Sequence, residues 1–261
     1  MTALRIFAVC GLISFRALFS FLRPEVYIPS MLVAPIFQIL LFVYVGRSAA
    51  LESDEFYVIG NAVQYAAVPC LFAMIFTIAG ERHQRTLGYI LVSPAARLPL
   101  FLGRAVPVIL NGFVVATFSL AVGGLIVGID VPADAIAPLL LATAICTFSC
   151  TGFGLIGAGL GLLMREQAVL ANVMFGILLV FTGANVPVDQ LPGWMQAISA
   201  ALPFTHGIEA AREVADGAPL SEVSGLLATE AAIGVGYAAV GYVFIRGAER
   251  LSFRHATLDR A

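Results

Sequence analysis

The chain has 261 residues, of which 60% are hydrophobic and only 11% charged, with a net charge of −2. A soluble domain carries about 25% charged residues, so the composition excludes a soluble globular protein and points to an all-α, polytopic membrane protein. All fourteen basic residues are arginine; a P-loop needs a lysine at its phosphate end, so this motif is excluded and any ATP hydrolysis falls to another polypeptide.

Residues 1–26 are apolar but interrupted by Arg5, Arg16 and Arg23, which on a helix form one stripe about 20° wide. A secretory signal has an unbroken apolar core and a small-residue cleavage site. This segment has neither, and reads as an interfacial helix on the inner leaflet with its arginines toward lipid headgroups. Residues 27–46 form the first spanning candidate, about 20 residues and enough for the bilayer core. Pro29 suits its first turn and Pro35 is placed to kink it. A short acidic loop with Glu52, Asp54 and Glu55 leads to a second span, 57–79. Asn61 and Gln64 lie one turn apart on it. Polar side chains inside a span face protein or a cavity, which makes Gln38, Asn61, Gln64 and Tyr65 candidate pathway residues.

Residues 80–104 carry four of the fourteen arginines between two long apolar runs. With 81–91 placed on a helix, Leu87, Ile90 and Leu91 gather on one side. Glu81, Arg82, Gln84, Arg85 and Gly88 cover most of the rest. Such a helix can lie along a membrane surface with its polar side in the cytoplasm; the alternative is an ordinary basic loop. Ser93-Pro94 ends it, because Pro94 disfavours helix at Ser93 and cannot donate a backbone hydrogen bond.

The third span is predicted at 105–129, followed by a tight turn containing Pro132. The fourth, 136–164, is longer than the bilayer needs and is expected to be tilted or broken. Gly157 and Gly161 sit four apart in its second half and would allow close helix contact. After a polar turn at 165–167, residues 168–186 form the fifth span. Residues 187–221 are polar and broken by Pro187, Pro192, Pro203 and Pro219. They read as short interfacial helices, with Trp194 as a headgroup-level anchor. The sixth span, 222–245, contains Glu230, and a basic tail follows.

With a cytoplasmic N-terminus and six spans, twelve of the fourteen arginines fall inside, and only Arg47 and Arg212 outside. Eleven of the sixteen acidic residues fall outside or at the outer membrane edge. This is the asymmetry that orients membrane proteins, so both termini are expected in the cytoplasm. Cys10, Cys70, Cys146 and Cys150 all lie in apolar surroundings and read as small buried hydrophobes. No CxxC motif or histidine cluster suggests a metal.

Two stretches carry a family resemblance. Glu81-Arg82, Thr86-Leu87, Leu91, Ser93-Pro94, Arg97 and Gly103-Arg104 form the first. Pro187, Leu191-Pro192, Trp194, Pro203, Thr205, Glu209-Ala210 and Arg212 form the second. With six spans, the chain resembles the type-2 ABC exporter permeases over about residues 5–250. One departure is Arg85, where the family usually has glycine.

The resemblance implies three parts: an N-terminal connecting helix at 1–26, a six-helix transmembrane domain at 27–250 and a basic cytoplasmic tail at 251–261. It implies ATPase coupling through Glu81, Arg82, Arg85, Thr86, Leu87, Pro94 and Arg97. It also implies an outer gate of re-entrant helices over 188–212, marked by Pro187, Leu191, Pro192, Trp194, Pro203 and Thr205. Spans one, two and five would line the pathway. Two copies, or one copy with a sister subunit, would pair with two ATPase subunits that hold ATP and Mg. The setting would be a bacterial cytoplasmic membrane, and the cargo an amphiphilic drug, antibiotic or lipid-linked glycan, with no role for nucleic acid.

The alternative is an ion-coupled secondary transporter or channel, which places ionisable groups near the midplane. Only Glu230 qualifies, and it sits close enough to the outer end of its span to reach headgroups, which favours a structural role. No HExxH, GxSxG or carboxylate pair within a span suggests a membrane enzyme.

Overall fold

The computed structural model describes residues 24–49, 51–83, 97–164 and 166–255, with 5, 7, 9, 11 and 12 before them; side chains at 79–83, 97–98 and 248–255 fall outside the description. Among the described residues every regular element is helical. In chain order these are α1 (Pro24–Ala49), α2 (Asp54–Ile78), α3 (Arg97–Val127), α4 (Ile136–Gly161), α5 (Gln167–Phe181), a 3-10 turn (Val188–Gln190), α6 (Gly193–Ser199), α7 (Thr205–Ala215) and α8 (Leu220–His255). Helices α1 to α4 and α8 are each long and apolar enough to cross a bilayer.

The predicted fifth span is shorter than expected. Helix α5 has 15 residues, about 22 Å at 1.5 Å per residue, against a hydrocarbon core of about 30 Å. Residues 182–187 leave the helix at Gly183, whose φ of +76° is a left-handed conformation. Helix α4 is neither broken nor kinked out of register; it runs unbroken over 26 residues. Helix α8 continues to His255, so the first residues of the predicted tail, 251–255, belong to it.

Local chemistry explains the helix ends. Ser53 caps α2 by accepting from the Phe56 amide at 3.2 Å, and Asp54 and Glu55 follow in the first turn, where the helix dipole favours negative charge. Arg47, at the end of α1, donates from Nε to both oxygens of Asp54 at 3.0 Å and fastens the short α1–α2 connection. Gly128 ends α3 at φ +85°, a conformation that costs glycine little, and its amide bonds back to the Gly124 carbonyl at 2.8 Å.

Two helices contain a wide π turn, Ile28–Val33 in α1 and Val68–Phe72 in α2. Each has a proline at its start, Pro29 and Pro69, whose missing N–H favours a shift from the regular hydrogen-bond ladder. The expected kink at Pro35 is instead a widening one turn earlier; Pro35 sits just beyond it, in the first turn of the α-helical part.

Helix α2 is the centre of the bundle. Its most apolar window is 83% buried, against 17% for α1 and 22% for α8. Met74, Ile75 and Ile78 at its inner end pack with Leu100, Phe101, Leu155 and Ala158. Cys70, Cys146 and Cys150 are free and buried in the same core. Helices α4 and α8 touch almost backbone to backbone. A Cβ on Gly152 would lie 2.5 Å from the Gly234 carbonyl oxygen, and one on Gly241 would lie 2.6 Å from the Leu155 Cβ. Glycine is the residue that lets membrane helices approach this closely. Gly157, expected to allow close helix contact, does so toward α5 and α2: a Cβ there would lie 2.7 Å from the Met174 sulfur and 2.8 Å from Ile75 Cδ1.

Candidate functional site: an outer helix assembly and a polar seam

The proline-marked outer segment folds into three short elements. Pro187 precedes the 3-10 turn, and Pro192 precedes α6 with extended backbone angles. Helix α6 therefore starts where proline removes a backbone donor that a helix's first turn does not use. Its loop is tied locally, with Gln196 Nε2 donating to the Leu191 carbonyl at 2.8 Å. Trp194 is exposed, as expected of an anchor, and its ring meets Phe181 edge-on at 6.2 Å between centroids. Pro203 and Thr205 are buried, and the Thr205 hydroxyl has no hydrogen-bond partner.

Helix α7 is amphipathic. Ala210, Ala211 and Val214 face the core with Ile59, Leu139 and Val223, Ile208 joins the cluster around Cys146 and Phe204, and Glu209 and Glu213 are exposed. Its first turn is held from another helix. Glu230 of α8 is 0% exposed, and its carboxylate accepts from the Phe204 amide at 2.7 Å and the Gly207 amide at 3.3 Å. This corrects the expectation that Glu230 reaches the headgroups. It bonds inward, to the otherwise unpaired amides of a helix start.

Arg212 holds the other end. It donates from Nη1 to the Gly183 carbonyl at 3.0 Å, and from Nη2 to the carbonyls of Phe56 at 3.0 Å and Ala184 at 3.1 Å. The guanidinium also lies 3.4 Å from the centroid of the Phe56 ring. Burial lowers its pKa to about 10, partly offset by the negative charges of Glu52 and Glu209. Arg212 therefore remains charged at neutral pH. One side chain thus joins α7, the first turn of α2 and the exit from α5. Both arginines expected on the outer side are engaged in the fold, Arg47 by Asp54 and Arg212 by carbonyl groups. The sequence motif included Arg212, but its contacts were missed; its being one of only two arginines expected outside was the available signal.

The candidate pathway residues do come together. Gln38 Nε2 donates to Asn61 Oδ1 at 3.0 Å and to Gln64 Oε1 at 3.1 Å, joining α1 to α2. Asn61 and Gln64 are fully buried, and Gln64 Nε2 has no partner. Tyr65 belongs to the same seam but bonds elsewhere, donating to the Ser30 carbonyl inside the α1 π turn at 3.0 Å. A link that sequence reasoning missed extends the seam to α3: Tyr27 donates to Asn111 Oδ1 at 2.6 Å.

On the inner side, the backbone of Glu81 and Arg82 ends a helical segment, Ala73–His83, that continues α2. Their side chains lie outside the described residues, as do Arg85, Thr86, Leu87 and Pro94. Arg97 begins α3, with its side chain also outside the description. Of the N-terminal stripe, Arg5 is exposed, and Arg16 and Arg23 lie outside the described residues.

A bundle of long apolar helices whose amphipathic short helix is held against one end defines a multi-pass membrane protein. The profile of the family described as ABC-2 type transporter matches residues 9–215, and the chain belongs to that family. Over 162 residues it is 30% identical to the protein described as "Probable multidrug ABC transporter permease YbhR" from Escherichia coli (strain K12), an alignment that covers 58% of this chain and 44% of that protein. The protein of the same description from Escherichia coli O157:H7 matches to the same extent. The chain thus spans less than half the length of the curated relatives it matches.

Proposed function

We propose that this chain is the permease subunit of an ATP-driven exporter that moves an amphiphilic molecule outward across the cytoplasmic membrane. The observation that carries this is the ABC-2 type match across residues 9–215, on a bundle of helices long enough to span. In this reading α5 and the chain beyond Gly183 together complete a sixth crossing, both termini are cytoplasmic, and 188–212 close the outer end. Two copies, or one copy and a sister subunit, pair with two ATPase subunits that bind ATP and Mg. Residues 81–97 carry the coupling contact, and the Gln38–Asn61–Gln64 seam borders the pathway. The description of the relatives supports a drug-like cargo. The ion-coupled alternative loses its one candidate, because two backbone amides already occupy Glu230.

Reconstitution tests the assignment. The purified chain alone shows no ATP hydrolysis, and hydrolysis with dye transport arises on adding the ATPase subunit. Truncating one side of a buried interfacial charge pair costs about 2–5 kcal/mol, so Glu81→Ala and Arg82→Ala weaken co-purification of the ATPase without preventing membrane insertion. Arg85→Gly is tolerated better than Arg85→Glu. Wild-type binding and transport by all four variants would make this stretch a solvated loop.

A further inference from the structure

Helix α7 lacks a cap of its own. The residue before it, Phe204, has φ +77° and offers no side-chain acceptor. It is the only described non-glycine residue with positive φ, a conformation that costs a bulky residue free energy and persists where its surroundings enforce it. The missing cap comes from Glu230 on α8, bound to amides at either end of the first turn. A Cβ on Gly207 would press against the Cys146 sulfur and lie 3.3 Å from the Glu230 side chain, so the bare backbone there lets α7 lie this close. The helix ends at Ala215, eleven residues after Phe204, and one turn before that end Arg212 grips Phe56, Gly183 and Ala184.

We propose that Glu230 and Arg212 are positioning residues for transport: they clamp α7 at both ends, so that α7, the outer part of α8 and the first turn of α2 shift as one body. A locally capped helix could tilt independently of its neighbours. This one cannot change its angle to α8 without stripping a buried carboxylate of its amide partners, nor its angle to α2 without breaking the Arg212 bond to the Phe56 carbonyl and its contact with the Phe56 ring, and both are expensive in an apolar setting. Movement of α2 is thereby passed to the outer segment. The consequence for transport rests on reading 188–212 as the outer closure; the clamp itself does not.

The test uses the full chain with its ATPase subunit in liposomes. In Glu230→Ala, amide hydrogen exchange of Phe204 and Gly207, within 203–208, rises by about 10-fold or more, because the Glu230 side chain protects those two amides. In Glu230→Gln, whose carboxamide oxygen keeps one acceptor, the rise is smaller and confined to the same segment. In Arg212→Ala, the distance distribution between spin labels at the exposed positions Glu209 and Asp134 broadens. Both pins, when cut, reduce rhodamine 6G moved per ATP hydrolysed. Wild-type exchange in Glu230→Ala, or a wild-type distance distribution in Arg212→Ala, would remove a pin and overturn the clamp. If Glu230→Ala does not accumulate, Glu230→Gln decides: faster exchange limited to 203–208 supports the clamp, and wild-type exchange overturns it. If both local signals change while carboxyfluorescein leak and dye transport stay at wild-type levels, the clamp stands and the closure reading falls.

Discussion

Gly60→Ala adds one methyl group to the most buried helix of the bundle, and the structure says what it meets. The new Cβ would lie 2.5 Å from the Ala184 carbonyl oxygen and 3.1 Å from the Ala184 Cα, and would also overlap Nη2 of Arg212. The arginine tip can swing aside, but then Nη2 leaves the Phe56 and Ala184 carbonyls. The Ala184 backbone cannot yield without moving the Gly183 turn. Overpacking costs about 1–3 kcal/mol, and a hydrogen bond from a charged donor about 1.5–3. Helix propensity returns about 1 kcal/mol for replacing glycine. The net loss is about 1.5–5 kcal/mol, or a fall in Tm of about 3–20 °C. The assay is thermal unfolding in detergent, followed by fluorescence of Trp194, the single tryptophan, which packs near this turn on Phe181. Because the two side chains share one space, Gly60→Ala with Arg212→Ala should lose less than the sum of the single losses. A Tm for Gly60→Ala within about 2 °C of wild type, or full additivity in the double variant, would refute the packing argument.

Two further expectations concern topology and the glycine seam. Single cysteines at Ser53, Asp134 and Gly217 in a cysteine-free background react with an impermeant thiol reagent in intact cells, and those at Gln84 and Thr257 do not; outside labelling of Gln84 would sink the six-crossing arrangement. Gly234→Val forces α4 and α8 apart, since even a Cβ there would lie 2.7 Å from the Ser149 Cα, and should abolish stable expression, whereas Gly236→Ala, with nothing within 4 Å, should match wild type.

Much of the bundle was legible because a bilayer demands long apolar runs: α1, α2 and α4 lie within three residues of their predicted bounds, while α3 begins eight residues earlier than predicted and α8 runs ten residues further. The fifth span was overestimated for a physical reason. Residues 182–186, Thr-Gly-Ala-Asn-Val, were counted with the apolar run before them, but their chain leaves the helix and the Gly183 and Ala184 carbonyls receive Arg212. Hydropathy reports the solvent a segment prefers and says nothing about which backbone groups a distant side chain will claim. Glu230 failed in the same way: its partners, the amides of Phe204 and Gly207, are 26 and 23 positions away in sequence. For the glycines, periodicity showed which ones share a face, but not which face meets α8. The polar seam was easier, because Gln38, Asn61 and Gln64 are rare residue types in such spans and have strong reason to find one another.

The π turn in α2 bears on how this chain tolerates insertions and deletions. A π turn holds one residue more than the regular helix would and absorbs it within the turn, whereas a residue added to or taken from regular winding rotates everything beyond it by about 100°. Removing a single residue from Val68–Phe72 would restore regular winding and leave Met74, Ile75 and Ile78 in the core they fill. A loss of one codon, which elsewhere in α2 would turn half of the helix out of its packing, would here be comparatively mild. Aligned relatives lacking that residue would present the same α2 face beyond the gap, so the residues on its far side are equated with their counterparts directly.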